Sequence, residues 1–133
     1  MVKTITVTTA SLVILAAIGY FVIMAVGKPI SSDLSVIGQG KPSLVLAYEN
    51  YSPAGGDALN RLRQVKSDYV SRLNFVVADM GTPQGLAFAN RYQLIDGRAI
   101  FLKPDGQPLE ATNIPADEQA LRRHLDLKLE ALE

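Results

Sequence analysis

The sequence predicts an α/β domain with one mixed sheet, in the element order β-α-β-α-β-β-α, behind one N-terminal apolar segment. Three observations carry that prediction. Short apolar runs at 43–49 and 73–78 alternate with stretches of helical period. The turn Pro104-Asp105-Gly106 separates two further short runs and marks a hairpin. Thr4 to Gly27 holds no charged residue and is flanked by Lys3 and Lys28.

As a helix, that uncharged segment would span roughly 36 Å, against a hydrocarbon core of about 30 Å. Two readings fit it. A retained transmembrane anchor, residues 1–27, fits the length and places 4–27 in the bilayer. A cleaved signal peptide fits the short basic start and the small residues Ala25 and Gly27 before Lys28. The length favours the anchor. Lys3 argues for an N-terminus inside the cell, while Lys28 and Lys41 argue mildly the other way. Ala16, Gly19 and Gly27 are small enough to pack against another helix.

Residues 28–41 contain Pro29, Ser31-Ser32-Asp33, Gly38 and Gly40, and read as a linker. The folded domain then occupies 42–133. Ser43 to Glu49 is a buried strand, and Ser52 to Gly56 a turn. From Asp57 to Val70, Leu59, Leu62, Val65 and Tyr69 fall on one helical stripe. Leu73 to Ala78 is the second strand. Thr82-Pro83 reads as an N-cap followed by proline at the first helical position, with Leu86, Ala87, Phe88 and Ala89 available for packing. Ala99 to Leu102 is the third strand, and Leu109 begins the returning one. Asp117 caps a last helix with Leu121, Leu125, Leu129 and Leu132 on its apolar stripe. Two strands joined through a helix imply a parallel pair, to which the hairpin adds an antiparallel strand.

Composition excludes several functions. Basic and acidic residues balance at 13 each, which leaves no electrostatic footprint for nucleic acid. The chain has no cysteine, so it forms no disulfide framework and no cysteine-based metal site. No phosphate-binding glycine motif is present, and no cofactor is implied.

The order of elements resembles the thioredoxin family, over roughly residues 41–130, so the expected fold is a minimal thioredoxin-like one. Lys41 to Tyr48 is similar to that family's first central strand, Leu73 to Asp79 to the next, and Leu86 to Tyr92 to the helix before the substrate-side strand. Asp105-Gly106 matches its hairpin turn. Tyr51-Ser52-Pro53-Ala54-Gly55 falls on the Trp-Cys-x-x-Cys turn, with Ser52 and Gly55 on the two cysteines. The family's cis-proline falls on Arg98, or on Gly97 if the register slips by one. Its buried acid falls on Leu46. Thiol–disulfide exchange requires a thiolate, so the resemblance implies a redox-inactive, non-enzymatic member. Without proline, a cis bond at Arg98 would cost about 3 kcal/mol, so trans is expected there.

The membrane-anchored thioredoxin-like proteins of cyanobacteria and chloroplasts are similar in layout. That likeness implies an accessory subunit of a membrane protein complex, photosynthetic or respiratory. The domain would then lie on the periplasmic or lumenal side of an inner or thylakoid-type membrane. An assembly factor or holdase that binds client polypeptides is the alternative. The candidate partner face is Tyr51, Ser52, Pro53, Gly97 and Arg98, since Tyr and Arg are enriched in binding hot spots; the other reading is an end that has drifted into an ordinary polar surface. Ser52 as a nucleophile would need a nearby base. The single histidine, His124, reads as a solvated surface residue. Ser52 is better read as a helix cap. Asp79, Asp96 and Asp105 lack cation-loop spacing and read as turn residues.

Overall fold

The computed structural model describes residues 12–18, 20 and 29–132. Four strands form one sheet in the order β2-β1-β3-β4. They are β1 (Ser43–Tyr48), β2 (Asn74–Asp79), β3 (Arg98–Leu102) and β4 (Pro108–Asn113). β1 runs parallel to β2 and antiparallel to β3, and β3 pairs antiparallel with β4. Three α-helices cover the sheet: α1 (Pro53–Tyr69), α2 (Pro83–Arg91) and α3 (Glu118–Ala131).

The period of two along each strand divides the core between the two faces. Leu44, Leu46, Phe75, Ala99 and Phe101 face α1 and α3, where they meet Leu62, Val65, Tyr69, Leu121, Leu125 and Leu129. Val45, Ala47, Val76, Ala78, Ile100 and Leu102 face α2, where they meet Phe88, Ala89 and Leu94. Both faces of β1 are therefore buried, which is why it reads as an unbroken apolar run. Each of the buried Leu, Val, Ile and Phe side chains contributes about 2 kcal/mol of burial. The hairpin closes as its residues dictate. The Lys103 amide donates to the Gln107 carbonyl (2.8 Å), Gly106 takes a φ of 89°, and the Asp105 carboxylate accepts from the Gln107 amide.

Residues 30–37, expected as part of a linker, are packed onto the domain. Ser31 bridges Val76 in parallel, and its carbonyl accepts from the Val77 amide at 2.9 Å. A 3₁₀ turn at Leu34–Val36 is capped by the Asp33 carboxylate. Ile30 packs against one core, and Leu34, Val36 and Ile37 against the other. These apolar side chains are what a spacing and glycine argument passed over.

Two further expectations change. α1 begins at Pro53, so the residues read as a turn form the helix's first turn, and Asp57 is no longer near its start. Proline presets φ for a first helical position. The expected localisation, a single-pass membrane protein, is overturned: among the described residues no helix is long and apolar enough to cross a membrane. Residues 12–18 are helical, but seven residues rise only about 10 Å. Ala16 lies in that stretch and is exposed. Gly19 and Gly27 lie outside the described residues, as does most of the 4–27 span.

Candidate functional site

The C-terminal end of β1 leads through Glu49 and Asn50 to Tyr51, then into α1. The loop before β3, residues 93–97, lies beside it. Tyr51 is 92% exposed and Ile95 68%. Pro53 is exposed, and Ser52, Gly97 and Arg98 are half-buried.

Asp96 joins the two loops. Its carboxylate accepts from the backbone N–H of Glu49 at 2.6 Å and of Gly55 at 2.8 Å. Gly55 is the third residue of α1, one of the positions whose amide has no intrahelical partner. A carboxylate there also suits the positive end of the helix dipole. Gly55 has no Cβ, and one placed there would run into the Asp96 carboxylate, 2.8 Å from its Cγ. The neighbouring Gly97 is held from two sides. Its amide donates to the Ala47 carbonyl at 2.9 Å, and its φ of 85° sets it against Ala54, with a Cβ position 3.3 Å from that residue's backbone. Gly97 thus lies close against the first turn of α1. Arg98 opens β3, with its amide donating to the Ile95 carbonyl at 3.0 Å. No peptide bond among the described residues is cis, so the Arg98 bond is trans as expected.

Ser52 does sit at the N-cap of α1, but its side chain makes no capping hydrogen bond. The amide it would serve is already taken by Asp96. His124 meets the Thr112 hydroxyl (3.3 Å) and the Phe101 ring (centroids 5.7 Å apart), so it is a half-buried packing residue rather than the solvated one expected. Leu46 is fully buried in the core against α1, where a carboxylate would be costly. The aspartates weighed as cation ligands serve backbone amides: Asp79 that of Gly81, Asp105 that of Gln107, Asp96 the two above.

The displaced pKa values lie away from this end. Hydrogen bonding to Asp68, then to Glu118, raises the Arg122 guanidinium. Lys128 lowers the Glu110 carboxyl. Burial, followed by Asp126, raises the Tyr69 phenol. These groups tie the last helix to α1 and to β4.

Sequence reading missed the role of Asp96 and the exposure of Ile95. The signal for the first was spread over Gly55 and the Asp96-Gly97 pair, which only the fold brings together.

No family model matches the sequence, and no curated protein matches it. Solved structures do share its fold. A thioredoxin-like protein from Clostridium perfringens superposes with a TM-score of 0.63 at 15% identity, covering 80% of this chain and 82% of that one. Fasciola hepatica thioredoxin gives 0.55 at 16% identity, covering 68% and 83%. The Drosophila melanogaster germline thioredoxin Deadhead gives 0.56 at 15%, covering 68% and 83%. The fold is thioredoxin-like, and the chain carries it without a single cysteine.

Proposed function

We propose that this chain is a redox-inactive thioredoxin-like protein that binds another polypeptide, as an accessory subunit of a protein complex, without catalysing a reaction. The docking face would be the Tyr51 turn with the 93–97 loop and Arg98 at the start of β3. One observation carries the reading. The two loops are fastened together by a dedicated carboxylate, yet they present a nearly fully exposed tyrosine and an exposed isoleucine where thiol chemistry is impossible. Such a face suits a partner better than a reaction, since aromatic side chains on a rigid backbone bind with little entropic cost.

The test is affinity capture with the full chain, in parallel with a Tyr51→Ala/Ile95→Ser/Arg98→Ala face variant, followed by mass spectrometry. One partner at fixed ratio, lost with the face variant, is the expected result. Partners retained by the variant would remove the face from the reading. Thiol-reductase activity in the pure protein would remove redox inactivity. The exposed apolar pair also favours a second reading, a holdase for unfolded clients. That reading requires many substoichiometric partners, all sensitive to the same variant.

A further inference from the structure

We propose that Asp96 is the positioning residue of this face: its carboxylate fills the space that any side chain at 55 would need and fixes the Tyr51 turn in one geometry. The functional meaning of this rests on the reading of that turn as a docking face; the geometry does not. Glu49 and Gly55 lie on opposite sides of Tyr51 in the chain, and one carboxylate accepts from both amides. Its own backbone cannot drift, because the adjacent Gly97 is bonded to β1 and wedged against Ala54. The turn is thereby closed across its base by a side chain from 41 residues away.

The consequence is a mutual requirement. Gly55 must lack a Cβ for the carboxylate to sit, and the carboxylate must sit for the Glu49 and Gly55 amides to be served. Position 55, which the sequence resemblance sets on a second cysteine of thioredoxins, thus carries no side chain, and its space is filled from another loop. Replacing Gly55 by any larger residue would evict Asp96 and so release an amide six residues upstream.

The experiment is amide hydrogen exchange and backbone order parameters by NMR on the full chain, without a partner. The set comprises the native protein, Gly55→Ala, Asp96→Ala and Gly55→Ala/Asp96→Ala. We expect the Glu49 amide to exchange about tenfold faster in each single variant, the scale of one charge-assisted hydrogen bond. The double variant should exchange no faster than Asp96→Ala alone, and Tyr51 should lose order in all three. Unchanged Glu49 protection in Gly55→Ala would overturn the proposal. So would a Tyr51 that stays ordered while Glu49 and Gly55 exchange freely. Should Asp96→Ala fail to fold, Asp96→Asn serves in its place. It keeps the shape but offers one acceptor oxygen to two donors, so it should free one of the two amides. Protection of both would refute the assignment. Because no partner is present, a failed capture experiment leaves this result standing.

Discussion

Helices α1 and α2 open with the same pattern, a hydroxyl residue, proline, any residue, then glycine: Ser52-Pro53-Ala54-Gly55 and Thr82-Pro83-Gln84-Gly85. They are solved differently. At α2 the Thr82 hydroxyl accepts from the Gly85 amide at 3.1 Å, a local N-cap. At α1 the Ser52 hydroxyl is idle, and Asp96 takes the Gly55 amide from another loop. Each glycine is required, but against different obstacles. A Cβ at 85 would strike the backbone of Asp79, while one at 55 would strike only the Asp96 side chain. A helix start whose cap is local serves the fold alone. One whose cap comes from a second loop also fixes how two loops present themselves, which is what a docking face needs.

Gly85→Ala should show the largest effect. The Asp79 backbone belongs to β2 and cannot rotate away, so the helix must move off the sheet. Overpacking against fixed backbone costs about 3 kcal/mol, to be read as a lowered urea midpoint. Loss of less than about 1 kcal/mol would mean that α2 slides freely, and the contrast between the two glycines would dissolve.

Asp96→Ala should come next, at about 2 kcal/mol, since it leaves two amides without a charged acceptor. Thr82→Ala should cost about 1 kcal/mol, the usual worth of a neutral N-cap. The order of these two is the informative part. If Thr82 proved the costlier, the Asp96 contact would be an ordinary surface hydrogen bond rather than a structural tie.

The same contrast explains what could be read from the sequence. β1 and β3 were legible because neighbours facing opposite sides, such as Leu44 and Val45 or Ile100 and Phe101, are both apolar. Thr82 and Asp117 were legible as caps because each serves an amide three residues on. The hairpin followed from Asp105-Gly106. The start of α1 was misplaced because glycines ordinarily break helices, and here Gly55 is retained for a neighbour that is distant in sequence. The same distance hid Asp96, which looked like one turn aspartate among several. Residues 30–37 were read as a linker from Pro, Ser and Gly content, although Ile30, Leu34 and Ile37 find apolar partners once the sheet exists. The expectation of a membrane span rested on composition and length alone, and no helix among the described residues supplies one.

Ser52→Ala carries the smallest expected effect and the sharpest reading of the comparison. In the native background the hydroxyl caps nothing, so its loss should stay within about 0.5 kcal/mol, as for an ordinary surface change. Once Asp96 is replaced by alanine, the Gly55 amide is vacant, and the Ser52 hydroxyl sits at the position from which Thr82 caps α2. The side chain then has a partner, and Ser52→Ala in that background should cost about 1 kcal/mol. Thermal melts of the four proteins measure both values. A cost that appears only when Asp96 is absent means that the two groups compete for one amide and that the distant carboxylate ordinarily wins. Equal costs in both backgrounds would mean that Ser52 acts elsewhere, and the parallel between the two helix starts would end at the sequence.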